Sequence, residues 1–275
     1  MSPTSLLPTA LTSVVDVCAD IYRLGWAENH AGNLTYRLTP EQLAEFDLHE
    51  DGAPVDLPFP SPSLGGQSYL VTAAGSPFRT TVRDPRTHIG VVEIDPAGAH
   101  YVLRWGFETG RRPTSEFPAH LRAHERRQLV GSDDRVVLHC HPTHIIAMSH
   151  VHPLQEERFT RTLWAMNSES ILAITEGIGL LPWMVCGTDE IGIESAVKLA
   201  WTNFVIWAYH GVLVTAGSPD AALGAIESVN KAAATWLLAG GVEGRGITIP
   251  ELRELAAAFG FVPDTRMLEI TAVGA

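Results

Sequence analysis

Two histidines separated by a single residue, His139 and His141, offer the most direct chemistry in the sequence. They follow the apolar run 136–138, which is typical of a strand, and Pro142 ends that run. Because side chains alternate between the two faces of a strand, both imidazoles are expected on the same side. The pair therefore indicates either two ligands for zinc or a similar divalent ion, or two hydrogen-bonded histidines at a strand end.

A third imidazole and a carboxylate extend this pattern. His210 precedes a glycine between the predicted strands 205–207 and 212–214, which makes it a candidate third ligand or a structural histidine. Three protein ligands leave one position of a tetrahedral ion open, as in catalytic rather than structural zinc sites. Glu116 lies at the start of a predicted helix, with Thr114 or Ser115 as its cap, and can serve as a base or interact with the helix dipole.

Other candidates have simpler structural explanations. His120 and His124 lie four residues apart on the predicted helix, but Leu121 occupies the position of the glutamate in the H-E-x-x-H metalloprotease motif. A solvated or hydrogen-bonded histidine face is therefore expected. The turns around Gly32-Asn33 and Gly75 can bind an anion through backbone N–H groups, or they can be plain connections.

These residues must be positioned by a mixed set of helices and strands. Hydrophobic spacing predicts an amphipathic helix over 11–22 that ends at Gly25, and a β-hairpin formed by 89–94 and 101–105. The sheet is therefore partly antiparallel. Further strands are predicted at 34–38, 68–72, 136–138, 171–175, 205–207 and 212–214, and further helices at 143–150, 156–164, 187–201, 219–239 and 250–260. Residues 50–66 are rich in proline and glycine and predict an irregular excursion.

Size and composition exclude several classes of protein. The 275 residues fit one large α/β domain over 1–275. The net charge of −12 argues against nucleic acid and anionic membrane as partners, since both favour a basic face. Cys18, Cys140 and Cys186 form no disulfide framework. With no signal peptide and no apolar run long enough to span a membrane, we expect a cytoplasmic protein.

Seven short segments spread over nearly the whole chain match the motifs of one known family. They are Gly32-Asn33-Leu-Thr, Pro113-Thr-Ser-Glu with Pro118-Ala-His, His139-Cys-His, Phe159-Thr-Arg with Leu163-Trp, Leu181-Pro-Trp-Met-Val, Gly187-Thr-Asp-Glu-Ile-Gly and His210-Gly-Val. In these segments the sequence resembles the L-rhamnulose-1-phosphate aldolase family of the class II aldolase and adducin superfamily. The Leu-Pro-Trp-Met-Val and Gly-Thr-Asp-Glu-Ile-Gly segments are specific to that family within the superfamily.

The resemblance implies a single α/β domain with a largely antiparallel central sheet between helices, assembled as a homotetramer with active sites at subunit interfaces. It implies Zn2+ on His139, His141 and His210. It also implies reversible cleavage of L-rhamnulose 1-phosphate, or a closely related ketose, to dihydroxyacetone phosphate and L-lactaldehyde. Glu116 matches the family's base, and Glu169 matches a carboxylate that reaches the site from a neighbouring subunit.

The family's phosphate site is only partly matched. Its pattern carries over to Gly32, Asn33, Gly75, Thr114 and Ser115, whereas His30 replaces an asparagine and Ala74 replaces a serine. The alanine lacks a hydroxyl donor, while His30 can still donate a hydrogen bond. The substrate is therefore expected to be a ketose 1-phosphate or, alternatively, a non-phosphorylated ketose.

Two further functions remain open from the sequence. A pentulose-phosphate 4-epimerase uses a similar zinc site, although the segments around 181–192 favour the aldolase. A non-catalytic interaction module resembling the adducin head shares the fold but has lost the metal ligands, which are present here.

Overall fold

One sheet runs through the protein. The structure is a computed structural model that describes residues 7–50 and 52–268. Within those residues the strands are β1 (Asn33–Arg37), β2 (Pro54–Asp56), β3 (Ser68–Thr72), β4 (Ile89–Ile94), β5 (His100–Gly106), β6 (Val136–Cys140), β7 (Gly179–Leu181), β8 (Phe204–Trp207) and β9 (Gly211–Ala216). They form a nine-stranded sheet in the order β2-β5-β4-β3-β1-β6-β9-β8-β7.

The sheet is antiparallel except at one edge, where β7 and β8 run parallel. The predicted hairpin is present as β4 and β5, which pair antiparallel. At the centre, β6 pairs with β1 on one side and with β9 on the other. In this register Asn33 lies opposite His139. The prediction of a largely antiparallel central sheet is confirmed, with the parallel edge as the one difference.

Helices cover both faces of the sheet. The helices described are α1 (Thr9–Arg23), α2 (Pro40–Leu43), α3 (Phe78–Thr81), α4 (Pro85–His88), α5 (Phe117–Leu129), α6 (Thr143–Val151), α7 (Glu156–Met166), α8 (Ser168–Ala173), α9 (Asp189–Lys198), α10 (Pro219–Leu238), α11 (Ile249–Phe259) and α12 (Thr265–Leu268). α1 buries Leu11, Val14, Cys18 and Ile21, which is the spacing of an amphipathic helix. Gly25 follows it with φ 75°, as a C′ residue requires.

The alternation along β6 separates the large hydrophobic core from the opposite face. Val136, Leu138 and Cys140 belong to the main core, which also includes side chains of α1, α7 and α10. Val137 belongs to a smaller cluster on the other face, together with residues of α5 and α9. Because strand side chains alternate, His139 lies on the Val137 side. This is the side on which α5 begins and packs against α9.

The structure differs from the sequence-based expectation in three short segments. Residues 171–175 were expected to form a strand, but Ile171 lies in α8, because the Asn167 side chain accepts a hydrogen bond from Ser170 N and caps that helix. The apolar stretch after residue 178 contains the edge strand β7, and the proline-rich excursion contains β2. No helix among the described residues is both long and apolar enough to cross a bilayer.

Candidate active site

Three histidine side chains meet where β6 ends and β9 begins. His139 is the fourth residue of β6, His141 follows its last residue, and His210 precedes β9. Gly211 makes this approach possible, because a Cβ at that position would lie 2.5 Å from the Cys140 carbonyl oxygen. Gly211 is thus a steric requirement of the tight contact between the two strands.

The ring nitrogens of the three histidines face one another. One nitrogen from each lies within 4.8 Å of the others, and the Nε2 atoms of His139 and His141 are 3.2 Å apart. The ring centroids of His210 lie 4.9 Å from those of both other rings. The structure therefore brings together the three imidazoles that the sequence singled out.

Hydrogen bonds on the far side of two rings determine which nitrogen carries the proton. His139 Nδ1 donates to the backbone carbonyl of Val212 at 2.8 Å, and His141 Nδ1 donates to the Glu28 carboxylate at 2.7 Å. For a neutral imidazole this leaves the lone pair on Nε2. Glu28 was missed in the sequence, since nothing in its surroundings distinguishes it from any exposed carboxylate.

Burial disfavours the charged form of two of the three rings. It lowers the pKa of His139 to about 3 and that of His210 to about 4, with repulsion from neighbouring histidines as a further cause. His210 Nδ1 is buried and makes no hydrogen bond within the described residues. Three imidazoles whose ring nitrogens face one another, two of them oriented by a carbonyl and a carboxylate behind them, are a donor set that suits a divalent cation such as zinc.

Glu116 lies beside this cluster and does not cap its helix. It is the N-cap residue of α5, but its side chain makes no capping hydrogen bond. The carboxylate instead accepts a 2.8 Å hydrogen bond from Asn33 Nδ2 and lies 3.7 Å from His139 Nε2. The expectation that Thr114 or Ser115 caps the helix is wrong at the N-cap position, although Thr114 Oγ1 accepts a hydrogen bond from Glu116 N.

The turns considered for anion binding also lie close together. Thr72, at the end of β3, joins them: its carbonyl accepts from Thr114 N at 3.0 Å, and its hydroxyl accepts from Leu34 N at 3.0 Å. Gly32 and Gly75 both have positive φ, as predicted for turns. The segments that contain Gly32-Asn33, Gly75 and Thr114-Ser115 thus surround one end of β3, whereas His30 is exposed before β1.

Arg111 adds a positive charge that the sequence analysis did not single out. Its Nη1 donates to the Ala74 carbonyl at 3.3 Å and to Ser76 Oγ at 3.4 Å. The hydroxyl of Ser76 is in turn hydrogen-bonded to His88 Nδ1 at 2.9 Å. This turn therefore combines a nearby guanidinium with a serine hydroxyl that is already engaged.

Four other residues lie outside the histidine cluster or beside it. His120 and His124 are buried and hydrogen-bonded, so the hydrogen-bonded interpretation is right and the solvated one is wrong. Glu169 is exposed in the first turn of α8. Cys186, which the sequence indicated only to be outside any disulfide framework, has its Sγ within 4.8 Å of ligand atoms of Glu116 and His210.

Comparison with known proteins agrees with this arrangement. The sequence model of the family described as "Class II Aldolase and Adducin N-terminal domain" matches residues 12–237. Rhamnulose-1-phosphate aldolase from Listeria monocytogenes is 37% identical over 246 residues, covering 88% of this chain and 90% of that protein. The protein of the same name from Klebsiella pneumoniae is 36% identical and covers 94% and 95%.

The fold also resembles that of a sugar-phosphate aldolase from Thermotoga maritima, with a TM-score of 0.71 at 24% identity, covering 84% of this chain and 96% of that one. The nine-stranded, largely antiparallel sheet of this chain is thus part of a fold that is similar to that of an aldolase. The chain belongs to the class II aldolase family.

Proposed function

We propose that this aldolase reversibly cleaves L-rhamnulose 1-phosphate to dihydroxyacetone phosphate and L-lactaldehyde, or cleaves a closely related ketose between the same two carbons. The observation that carries the proposal is the meeting of three imidazoles with the buried carboxylate of Glu116. The names of the relatives at 36–37% identity support the choice of sugar.

In this proposal His139, His141 and His210 hold a divalent cation, with zinc as the expected ion. The three bare nitrogens match its preference, and Val212 and Glu28 fix the orientation of two of the rings. When bound, such an ion acts as a Lewis acid that stabilises negative charge developing on the ketone and the neighbouring hydroxyl oxygen of the sugar.

Glu116 is the group that transfers a proton to or from C3 of the sugar. Cleavage breaks the bond between C3 and C4 of the ketose, and C3 of the departing triose then needs a proton, which Glu116 returns. In the condensation direction Glu116 removes the same proton from the hydroxymethylene group of dihydroxyacetone phosphate. Because the carboxylate is nearly buried, water competes little for its lone pairs.

A second carboxylate completes the proton balance at the aldehyde end. As C3–C4 breaks, the hydroxyl on C4 becomes a carbonyl and loses its proton. We assign this proton to Glu169 of a neighbouring subunit in a homotetramer with active sites at subunit interfaces. The exposure of Glu169 in a single chain is compatible with this assignment, because a shared site requires a side chain that projects outward.

The phosphate group is assigned to the turns around Thr72. Gly32, Asn33, Gly75, Thr114 and Ser115 surround this position and are candidates to donate N–H or hydroxyl hydrogen bonds. His30 is a candidate sixth donor. Ala74 contributes no hydroxyl, and this observation favours a non-phosphorylated ketose as the second candidate substrate.

The test compares cleavage of L-rhamnulose 1-phosphate and L-rhamnulose by the purified enzyme, with metal content measured on the same sample. We expect release of dihydroxyacetone phosphate from the phosphorylated sugar and near one divalent ion per chain. Preferred cleavage of the free sugar would overturn the assignment of L-rhamnulose 1-phosphate as the substrate. Conversion of a pentulose 5-phosphate without triose release would indicate an epimerase, and a metal-free, inactive protein would indicate an interaction module.

A Glu116→Gln variant separates the base from the rest of the site. Glutamine keeps an oxygen that can accept from Asn33 but cannot take a proton, so turnover should fall by about 10²–10⁴-fold while metal content stays unchanged. Full activity of this variant would exclude Glu116 as the base.

A further inference from the structure

A row of buried, hydrogen-bonded polar side chains leads away from Glu116 between the sheet and α5. All of its members are at most 8% exposed, and they alternate between β1 and α5. In order from Glu116 they are Asn33, His120, Thr35 and His124. Buried polar groups that are connected without a gap generally hold one another in a single arrangement.

The direction of the first two hydrogen bonds follows from the carboxylate. An ionised Glu116 can only accept, so Asn33 Nδ2 is the donor across the 2.8 Å contact. The Asn33 amide must therefore present Oδ1 to His120 Nε2, which lies 2.5 Å away. An amide oxygen can only accept, so the proton of His120 is on Nε2.

The remaining protons follow in the same way. Burial lowers the pKa of His120 to about 3, so the ring is neutral and its Nδ1 is an acceptor. Thr35 Oγ1 lies 2.9 Å from this nitrogen and donates to it. Having given its proton, the Thr35 hydroxyl accepts from His124 Nε2 at 2.8 Å. Every hydrogen bond in the row, including the one that Thr35 donates to His120, thus points towards Glu116.

We propose that Thr35 and His120 are positioning residues that fix the Asn33 amide with its N–H towards Glu116 and thereby hold the carboxylate in place for proton transfer. Neither residue needs to touch substrate. If the Thr35 hydroxyl is lost, His120 can carry its proton on Nδ1, and Nε2 then becomes an acceptor. The amide of Asn33 would turn to donate to it, and its oxygen would face the Glu116 carboxylate.

This inference rests on the proposed role of Glu116 as the base, and its test isolates that step. The enzyme with its metal is incubated with dihydroxyacetone phosphate alone in D2O, and loss of the hydroxymethylene proton is followed by NMR. The variant is Thr35→Val, which keeps the side-chain shape and removes the hydroxyl. The matched variant is Thr35→Ser, which restores the hydroxyl.

We expect Thr35→Val to slow exchange by about tenfold, which corresponds to about 1.4 kcal/mol in the barrier, with metal content and the KM for the triose phosphate unchanged. Thr35→Ser should exchange at close to the wild-type rate. Wild-type exchange by metal-loaded Thr35→Val would overturn the inference, as would an equal loss in both variants.

The failure of the two proposals can be told apart. If Glu116→Gln also exchanges at the wild-type rate, the assignment of the base is wrong. If Glu116→Gln is inactive and Thr35→Val is not, only the positioning role is wrong. Should Thr35→Val not fold, His120→Phe and His120→Gln make the same comparison, because glutamine retains an N–H donor for Asn33 and phenylalanine does not. Equal exchange rates in that pair would overturn the inference.

Discussion

Adding a hydroxyl at Ala74 should increase the preference for a phosphorylated substrate. The turn that contains Ala74 offers few free donors: Ala74 N donates to the Arg112 carbonyl at 2.9 Å, and Ser76 Oγ is engaged with His88. A new serine hydroxyl would therefore be an additional donor beside the Arg111 guanidinium. Hydrogen bonds to charged groups contribute about 1.5–3 kcal/mol. Because Ala74 is only partly buried, the lower end applies, which corresponds to about tenfold.

The assay measures kcat/KM of wild type and Ala74→Ser with L-rhamnulose 1-phosphate and with L-rhamnulose. The ratio of the two values should rise about tenfold in the variant, through the phosphorylated sugar. Ala74→Cys is the matched control, since a thiol has a similar size but donates only weakly. The reasoning would be refuted if the ratio stayed within about twofold in Ala74→Ser, or if Ala74→Cys raised it equally.

Three further predictions concern the metal, the free thiol and pH. His210→Ala should lose the bound ion. Excess chelator should therefore lower the Tm of wild type but not of this variant, because a ligand present at about 100 times its Kd adds about 2.7 kcal/mol of stability. An equal Tm shift in both proteins would contradict the assignment of His210 as a ligand. Iodoacetamide should inactivate wild type but not Cys186→Ser. Cys186 is exposed, whereas Cys18 and Cys140 are buried and burial raises the pKa of their thiols, so they react slowly. Equal inactivation of both proteins would show that the modified residue is not Cys186. His120 stays neutral when folded, with a pKa lowered to about 3 by burial and by His139, whereas the unfolded chain takes up a proton below about pH 6.5. The free energy of unfolding thus falls as pH falls from about 6.5 towards 3, by about 1.4 kcal/mol per pH unit from this group. Urea unfolding of metal-free His120→Gln should therefore take up one proton less in this pH range than unfolding of metal-free wild type.

Much of the fold could be predicted from local sequence signals. Strands 68–72 and 89–94 and the helix 219–238 lie close to their predicted bounds, because alternation, hydrophobic spacing and a proline at the helix start are local properties. The expected strand over 171–175 is wrong, since Ile171 and Ile174 fit a strand by propensity while the Asn167 cap, a single hydrogen bond, starts a helix. Such competition between propensity and a cap is decided by packing.

The types of residue in the site could be predicted from the sequence, but the contacts between residues distant in sequence could not. His139 and His141 were paired by strand alternation, which is local. The contact of His210 with them depends on the register of β9 against β6, and the hydrogen bond that Glu28 accepts from His141 joins residues 113 positions apart. Neither can be read from spacing. Nor does any local pattern indicate that the Asn33 amide donates a hydrogen bond to Glu116.

The register of the central strands links the stability of the fold to the chemistry. Along β1 and β6, residues that pack in the main core alternate with residues that face α5. The hydrophobic pattern that pairs Leu34 with Leu138 in the core therefore also places Asn33 opposite His139. A slip of one residue would expose the core residues and separate Asn33 from His139 in the same step. The burial of Leu34 and Leu138 therefore specifies the relative positions of the carboxylate partner and the first imidazole, with no separate interaction required to align them.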